Sequence, residues 1–276
     1  MNHSIKEQLA GFINTPGLWR DSDLFNLKQF QVPTYTGKDL LDSASQILEL
    51  RSNFVLGKRM EIFFDHLLSH SGQFEVIAKN LQIYRKKVTL GELDFLVKDL
   101  QDNSIYHIEL VYKFYLYDPL NEDEEKWIGP NRKDSLIQKI SRLKHHQLPL
   151  LHAEETREIL KSFDLKFQDI EQQVCFKATL FLPKAYKLHN FSKLNKSCIA
   201  GYWIRYKDFS YSEYANYSFY APKKQDWPID PSTNEEWNSY PVFLAQIQEF
   251  INYKKSPLVW MKYGTEEFER FFVVWW

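Results

Sequence analysis

The stretch Gly91-Glu92-Leu93-Asp94-Phe95-Leu96, followed by Tyr106-His107-Ile108-Glu109-Leu110-Val111-Tyr112-Lys113, decides the architecture. In its first part Leu93, Phe95 and Val97 alternate with Glu92, Asp94 and Leu96; in its second, Tyr106, Ile108, Leu110, Tyr112 and Phe114 alternate with His107, Glu109, Val111 and Lys113. A strand sends successive side chains to opposite faces, so both runs read as β-strands, expected over 91–98 and 104–117. The short polar segment from Asp99 to Asn103 reads as the hairpin loop between them. Neighbouring antiparallel strands lie about 5 Å apart, which lets Asp94 and Glu109 project from one face within reach of a single cation. Two carboxylates so placed repel unless a cation or a proton intervenes. A hard, oxygen-preferring ion such as Mg²⁺ suits them, keeps several waters of its own, and neutralises charge on a phosphate. Lys113 is in phase with Glu109, about 13 Å further along at roughly 3.3 Å per residue.

Upstream, apolar residues between Leu48 and Leu68 recur at helical spacing and predict a helix over about 55–69, which carries Glu61. Residues 1–43 show no sustained period and read as a packing arm broken by Pro16, Gly17, Pro33 and Gly37. Strands are expected over 74–79 and 81–85. Downstream come an acidic loop over 121–126 and a helix over 132–147, with Asn131 as its N-cap and Pro149 marking its end. Leu136, Ile140 and Leu143 make its apolar stripe; Arg132, Lys133, Lys139, Arg142 and Lys144 surround it with positive charge. A helix over 154–163, strands over 174–182 and 201–206, a helix over 242–253 and a hairpin around Gly264 complete the pattern.

The 276 residues are 44% hydrophobic and 26% charged, which excludes a disordered or collagen-like chain and a disulfide miniprotein. With Gly 9 and Pro 11 there is too little material for a long flexible linker. One elaborated domain over 1–276 is expected, with a core over 48–185 and an aromatic-rich elaboration over 200–276. Lys+Arg 35 against Asp+Glu 36 gives a net charge of -1, so any polyanion must be held by a local patch. Only Cys175 and Cys198 are present, and the first residues lack the apolar stretch of a signal peptide, so a cytoplasmic setting is expected. No apolar run approaches the ~20 residues that span a bilayer.

A glutamate on a leading helix (Gly57-Lys58-Arg59-Met60-Glu61), then Gly-Glu-x-Asp on a strand, then a hairpin into a strand with an apolar-Glu pair and a lysine beyond it resembles the PD-(D/E)XK nuclease superfamily, whose layout on that strand is apolar-Glu-x-Lys. The longer run, with Gly129-Pro130-Asn131 and His146-Gln147-Leu148, is similar to a bacterial family catalogued as domain of unknown function 1853, over most of the chain. The resemblance implies an α/β, restriction-endonuclease-like fold: a central mixed sheet flanked by helices, with a mixed α+β C-terminal elaboration. It implies Mg²⁺ or Mn²⁺ on Asp94, Glu109 and the Leu110 carbonyl, with Glu61 and Lys113 completing the catalytic set and a phosphodiester as substrate. The pattern departs at one point: the usual lysine position, two after the glutamate, is Val111, and Lys113 follows two later.

Nucleic acid is the partner this reading implies, gripped by Arg132, Lys133, Lys139 and Arg142; no membrane is involved. The rival reading is a nuclease-like scaffold that binds nucleic acid or a protein without catalysis, favoured by the displaced lysine and the nearly neutral net charge. A glycoside hydrolase using the same two carboxylates with the aromatic surface is a third. His66 and His70 stand at a spacing that zinc accepts, but no further His or Cys completes a pattern, so an exposed pair is the simpler reading. Tyr202, Trp203, Tyr206, Trp227 and Trp237 are expected chiefly to pack.

Overall fold

Ser4 and Glu7 cap the first helix reciprocally: the Glu7 N–H donates to Ser4 Oγ at 3.2 Å and the Ser4 N–H to Glu7 Oε2 at 2.6 Å, which starts a helix over Ile5–Asn14. Residues 5–14 of the expected packing arm are therefore a regular helix, because a cap fixes a helix start without any long apolar stripe. The computed structural model describes residues 4–20, 25–33, 39–47, 50–51, 53–120, 126–186 and 194–276. In chain order the elements are α1 (Ile5–Asn14), α2 (Asp39–Asp42), α3 (Leu56–His70), β1 (Phe74–Arg85), β2 (Val88–Asp99), β3 (Ile105–Tyr117), β4 (Trp127–Ile128), α4 (Leu136–Arg142), α5 (Glu154–Lys161), β5 (Ile170–Pro183), β6 (Ile199–Arg205), α6 (Tyr211–Tyr214), β7 (Ser218–Tyr220), β8 (Asn238–Ser239), α7 (Tyr240–Asn252), β9 (Leu258–Lys262) and β10 (Phe268–Val274). The class is mixed α/β. Leu48 and residues 121–125 of the expected acidic loop lie outside the described residues. Among the described residues no helix is long and apolar enough to cross a membrane.

The chain forms two compact units: a hairpin unit of Gly17–Tyr112 with Gln138–Lys177, and a carboxy-terminal unit of Met1–Pro16, Lys113–Ile137 and Ala178–Trp276. Strands β3 and β5 contribute residues to both.

In the hairpin unit the strand order is β1-β2-β3-β5. The β2–β3 pair is antiparallel with Phe95 opposite Ile108, Leu96 opposite His107 and Val97 opposite Tyr106. Alternation sends neighbouring side chains to different layers. Phe95 meets Phe64 of α3 edge to face at 5.0 Å, while Leu96 belongs to a buried cluster with Leu150, Leu151 and Leu160. Burying both faces locks the register, since a slip by one residue would exchange them.

In the carboxy-terminal unit β6 runs parallel to β5 and to β10, while β9 is antiparallel to β10 and β7, and β7 to β8. Gly201 of β6 is required there: a Cβ would stand 1.9 Å from the Arg270 carbonyl oxygen. Phe209, Phe219, Phe243 and Phe271 form its core. Most of the aromatic residues are packed as expected: Tyr202 stacks on Phe271 at 4.9 Å, Trp237 on Phe268 at 5.6 Å, and Trp203 donates from Nε1 to the Tyr117 carbonyl at 2.9 Å.

The helix expected over 132–147 differs in two ways. It begins at Leu136, because residues 129–134 close into a turn through a Gly129 N–H to Asp134 carbonyl bond of 2.8 Å, and Asn131 accepts the Ser256 N–H at 2.8 Å instead of capping. It then widens into a π-helix over Leu143–Gln147 and tightens into a 3₁₀ turn over Leu148–His152.

Candidate functional site

Regular pairing of β2 with β3 ends at Phe95 and Ile108, and the next residues outward are Asp94 and Glu109. There the Leu110 N–H donates to Asp94 Oδ2 at 2.9 Å, so the carboxylate takes up an amide that the ladder has released. This anchors Asp94 against β3 while the side chain keeps partial exposure. Leu110 thus enters the site through its N–H.

Glu109 is fully buried, and both of its oxygens meet neutral donors. Oε1 accepts from His107 Nε2 at 3.0 Å, and Oε2 accepts from the Gln147 amide. The tautomer of His107 follows from its other side. Gln172 Nε2 donates to His107 Nδ1 at 3.0 Å and to the Leu148 carbonyl at 2.6 Å, leaving Nε2 to carry the proton. Burial holds His107 down to about 4, so it is neutral near pH 7 and brings no permanent cation to Glu109.

Lys139 Nζ donates to Gln147 Oε1 at 2.6 Å. Eight residues of ordinary α-helix overshoot two turns by about 80°, and the wider π turn takes up that excess, returning Gln147 to the face of Lys139.

The electrostatics follow from this packing. Burial, then the neighbouring Glu109 carboxylate, push the Asp94 carboxyl up to about 8; the Leu110 N–H and Lys139 oppose the shift. Burial pushes Glu109 up to about 7, opposed first by Lys139 and then by hydrogen bonding with Asp94. Near neutral pH the two carboxyls therefore titrate as a coupled pair that holds on to a proton. Both feel the charge of Lys139; Asp94 also feels Glu61, and Glu109 feels Glu92.

Of the residues singled out from sequence, Asp94 and Glu109 come together. Glu61 is ion-paired with Lys58 at 2.8 Å and adds negative charge near Asp94. Lys113 belongs to the carboxy-terminal unit, where it pairs with Asp134 at 2.5 Å; the residue in electrostatic contact with both carboxyls is Lys139, expected only to grip a backbone. Arg132 is held by Asp118 at 2.8 Å and lies over the Trp276 ring at 4.3 Å, whereas Arg142 is exposed on α4. His66 meets Ser43 Oγ at 3.0 Å, and its ring lies tilted against that of His70 with the centroids 4.0 Å apart. Sequence reasoning missed His107, Gln147 and Gln172 as supports of Glu109. The phase of His107 with Glu109 was visible, but nothing in the sequence announced the π turn that aims Gln147.

Among the described residues no three His, Cys, Asp or Glu side chains converge as a metal-binding group. A divalent ion on Asp94 and Glu109 would keep most of its coordination as water, which is the habit of Mg²⁺.

Residues 7–274 match the model of a family described as Domain of unknown function (DUF1853). The chain belongs to that family. No curated protein and no solved structure matches this DUF1853 chain.

Proposed function

We propose that this chain is a divalent-metal-dependent phosphodiesterase acting on nucleic acid, of the PD-(D/E)XK type, in a bacterial cytoplasm. One observation carries the reading: two carboxyls from adjacent strands, both raised by burial, both in the field of one lysine, with neutral amide and imidazole donors holding the deeper of the two. Such a pair gains from a divalent ion in place of its proton. Asp94 and Glu109 would hold Mg²⁺ or Mn²⁺, which supplies charge neutralisation for the phosphate and a more acidic water when bound. His107 and Gln147 fix the Glu109 carboxylate, and Gln172 fixes the imidazole tautomer. Lys139 takes the part first expected of Lys113, offsetting negative charge that develops on the phosphate. Glu61 adds a further carboxylate on the Asp94 side.

The test is cleavage of single- and double-stranded DNA and of RNA with Mg²⁺ or Mn²⁺, comparing the wild type with Asp94→Asn and Glu109→Gln. Cleavage that needs the metal and disappears in both variants supports the reading. Absence of cleavage on every substrate, with no Mn²⁺ binding that depends on Asp94, removes it.

The second reading, a nuclease-like scaffold that binds nucleic acid or a protein without turnover, is favoured by the complete burial of Glu109 and by the Lys113–Asp134 pair. Salt-sensitive binding that survives Asp94→Ala and Glu109→Ala, with no turnover, would select it.

A further inference from the structure

The carboxy-terminal unit contains a cavity of about 480 Å³ lined by five lysines, Lys133, Lys223, Lys224, Lys254 and Lys255, and by no carboxylate. Trp227, Phe250 and Tyr253 supply aromatic wall. Trp227 is buried and its ring is set by edge contacts with Phe114 at 5.2 Å and Phe272 at 5.1 Å, so that part of the wall is rigid. Two ammonium groups already stand over these rings: Lys224 Nζ is 5.6 Å from the Trp227 centroid and Lys255 Nζ is 5.8 Å from that of Tyr253. Ser256, which also lines the cavity, is 2% exposed, and its Oγ has no hydrogen-bond partner among the described residues. A buried hydroxyl without a partner is costly and points to an absent polar group.

We infer that this cavity binds a nucleoside phosphate, its phosphate held by the lysines and its base laid against the aromatic wall. The volume lies within the range of small-molecule sites. Five ammonium groups in a lining that holds no carboxylate, with Asp134 acting on Lys224 from outside it, ask for a multiply charged anion, and aromatic faces ask for a flat ring. A phosphopeptide site is disfavoured because its usual arginine forks are absent from the lining. The Lys224 ammonium is held below the usual lysine range by desolvation and then by Lys113, with Asp134 opposing the shift and Lys133 adding to it, and a bound phosphate relieves the repulsion among the lysines. This site is separate from the carboxylate pair, and its occupancy does not depend on hydrolysis.

Calorimetry on the full chain, with a chelator present to silence any metal-dependent cleavage, uses adenosine 5′-monophosphate, adenosine, inorganic phosphate and a single-stranded oligothymidylate. Saturable binding of the nucleotide is expected, weaker for adenosine and for phosphate alone. Lys224→Ala and Lys255→Ala should each weaken it by about tenfold, the worth of one charge-assisted hydrogen bond. Tyr253→Ala, an exposed ring, should weaken the nucleotide but not inorganic phosphate. Tighter binding of the oligonucleotide, lost in the same variants, identifies a nucleotide of a strand as the natural occupant; nucleotide binding at least as tight identifies a free one. No saturable binding of either, equal affinity for phosphate and nucleotide, or unchanged affinity in folded lysine variants overturns the inference.

Discussion

The hairpin unit and the carboxy-terminal unit treat charge in opposite ways. The first buries two carboxyls among neutral donors, with one lysine in electrostatic contact; the second leaves lysines exposed around an aromatic-walled cavity. Burial changes what a group is, because it shifts the protonation equilibrium. Exposure leaves the group charged and sets what it attracts, through a field that salt screens. Chemistry is therefore sought at the acid pair and recognition at the lysine cavity.

The largest expected effect breaks this contrast at its centre. Asp94→Asn should reduce metal-dependent cleavage by about a thousandfold, while raising the melting temperature of the metal-free protein at pH 8, since a carboxyl that resists ionisation is removed and the Leu110 N–H keeps an acceptor. Cleavage rates and thermal melts check the two halves separately. Next, Lys139→Met should cost about a hundredfold in cleavage and Lys113→Met almost nothing, the size expected of a group acting on developing charge. Equal losses in the two would return the strand lysine to the site.

Gln147→Leu removes a donor from buried Glu109 and should destabilise by about 1–3 kcal/mol in chemical denaturation, with Glu109 titrating still higher.

The pH dependence is a finer test. Asp94 and Glu109 titrate higher folded than unfolded, so their contribution is fully present below the ordinary carboxylate range and is lost as pH rises to about 8. His107 titrates lower when folded, so it costs stability as pH falls from about 6.5 toward about 4. Metal-free stability should therefore decline between about pH 6.5 and 8, where of these three groups only the carboxyls act, and Asp94→Asn should flatten the slope. Mn²⁺ affinity should rise over the same interval, because the ion must displace the proton.

The smallest expected effect is at the exposed start of α3. Gly57 of α3 has open space where a Cβ would be, so Gly57→Ala should stabilise by about 0.5–1 kcal/mol without altering cleavage or nucleotide binding.

Much of the hairpin unit was legible because its signals are local. The two-residue alternation around Asp94 and Glu109 and the polar turn between the strands need only near neighbours to be read; β3, Ile105–Tyr117, falls within the 104–117 expected, and β2, Val88–Asp99, is longer than the 91–98 expected. The helix carrying Glu61 spans Leu56–His70, close to expectation. The start of α4 was less legible, since Asn131, which has the chemistry of a cap, is engaged by Ser256 more than a hundred residues away in sequence.

The amino-acid order by itself settled which side chains share a strand face and which runs form strands, because backbone sterics impose a period of two without reference to the rest of the chain. Tertiary structure decided which lysine faces the acid pair, how Gln147 and Gln172 brace Glu109 and His107, and that distant lysines and aromatic rings line one cavity. Those outcomes depend on the rotation of a helix by a π turn, on burial and on contacts between segments far apart in sequence, none of which a local period encodes.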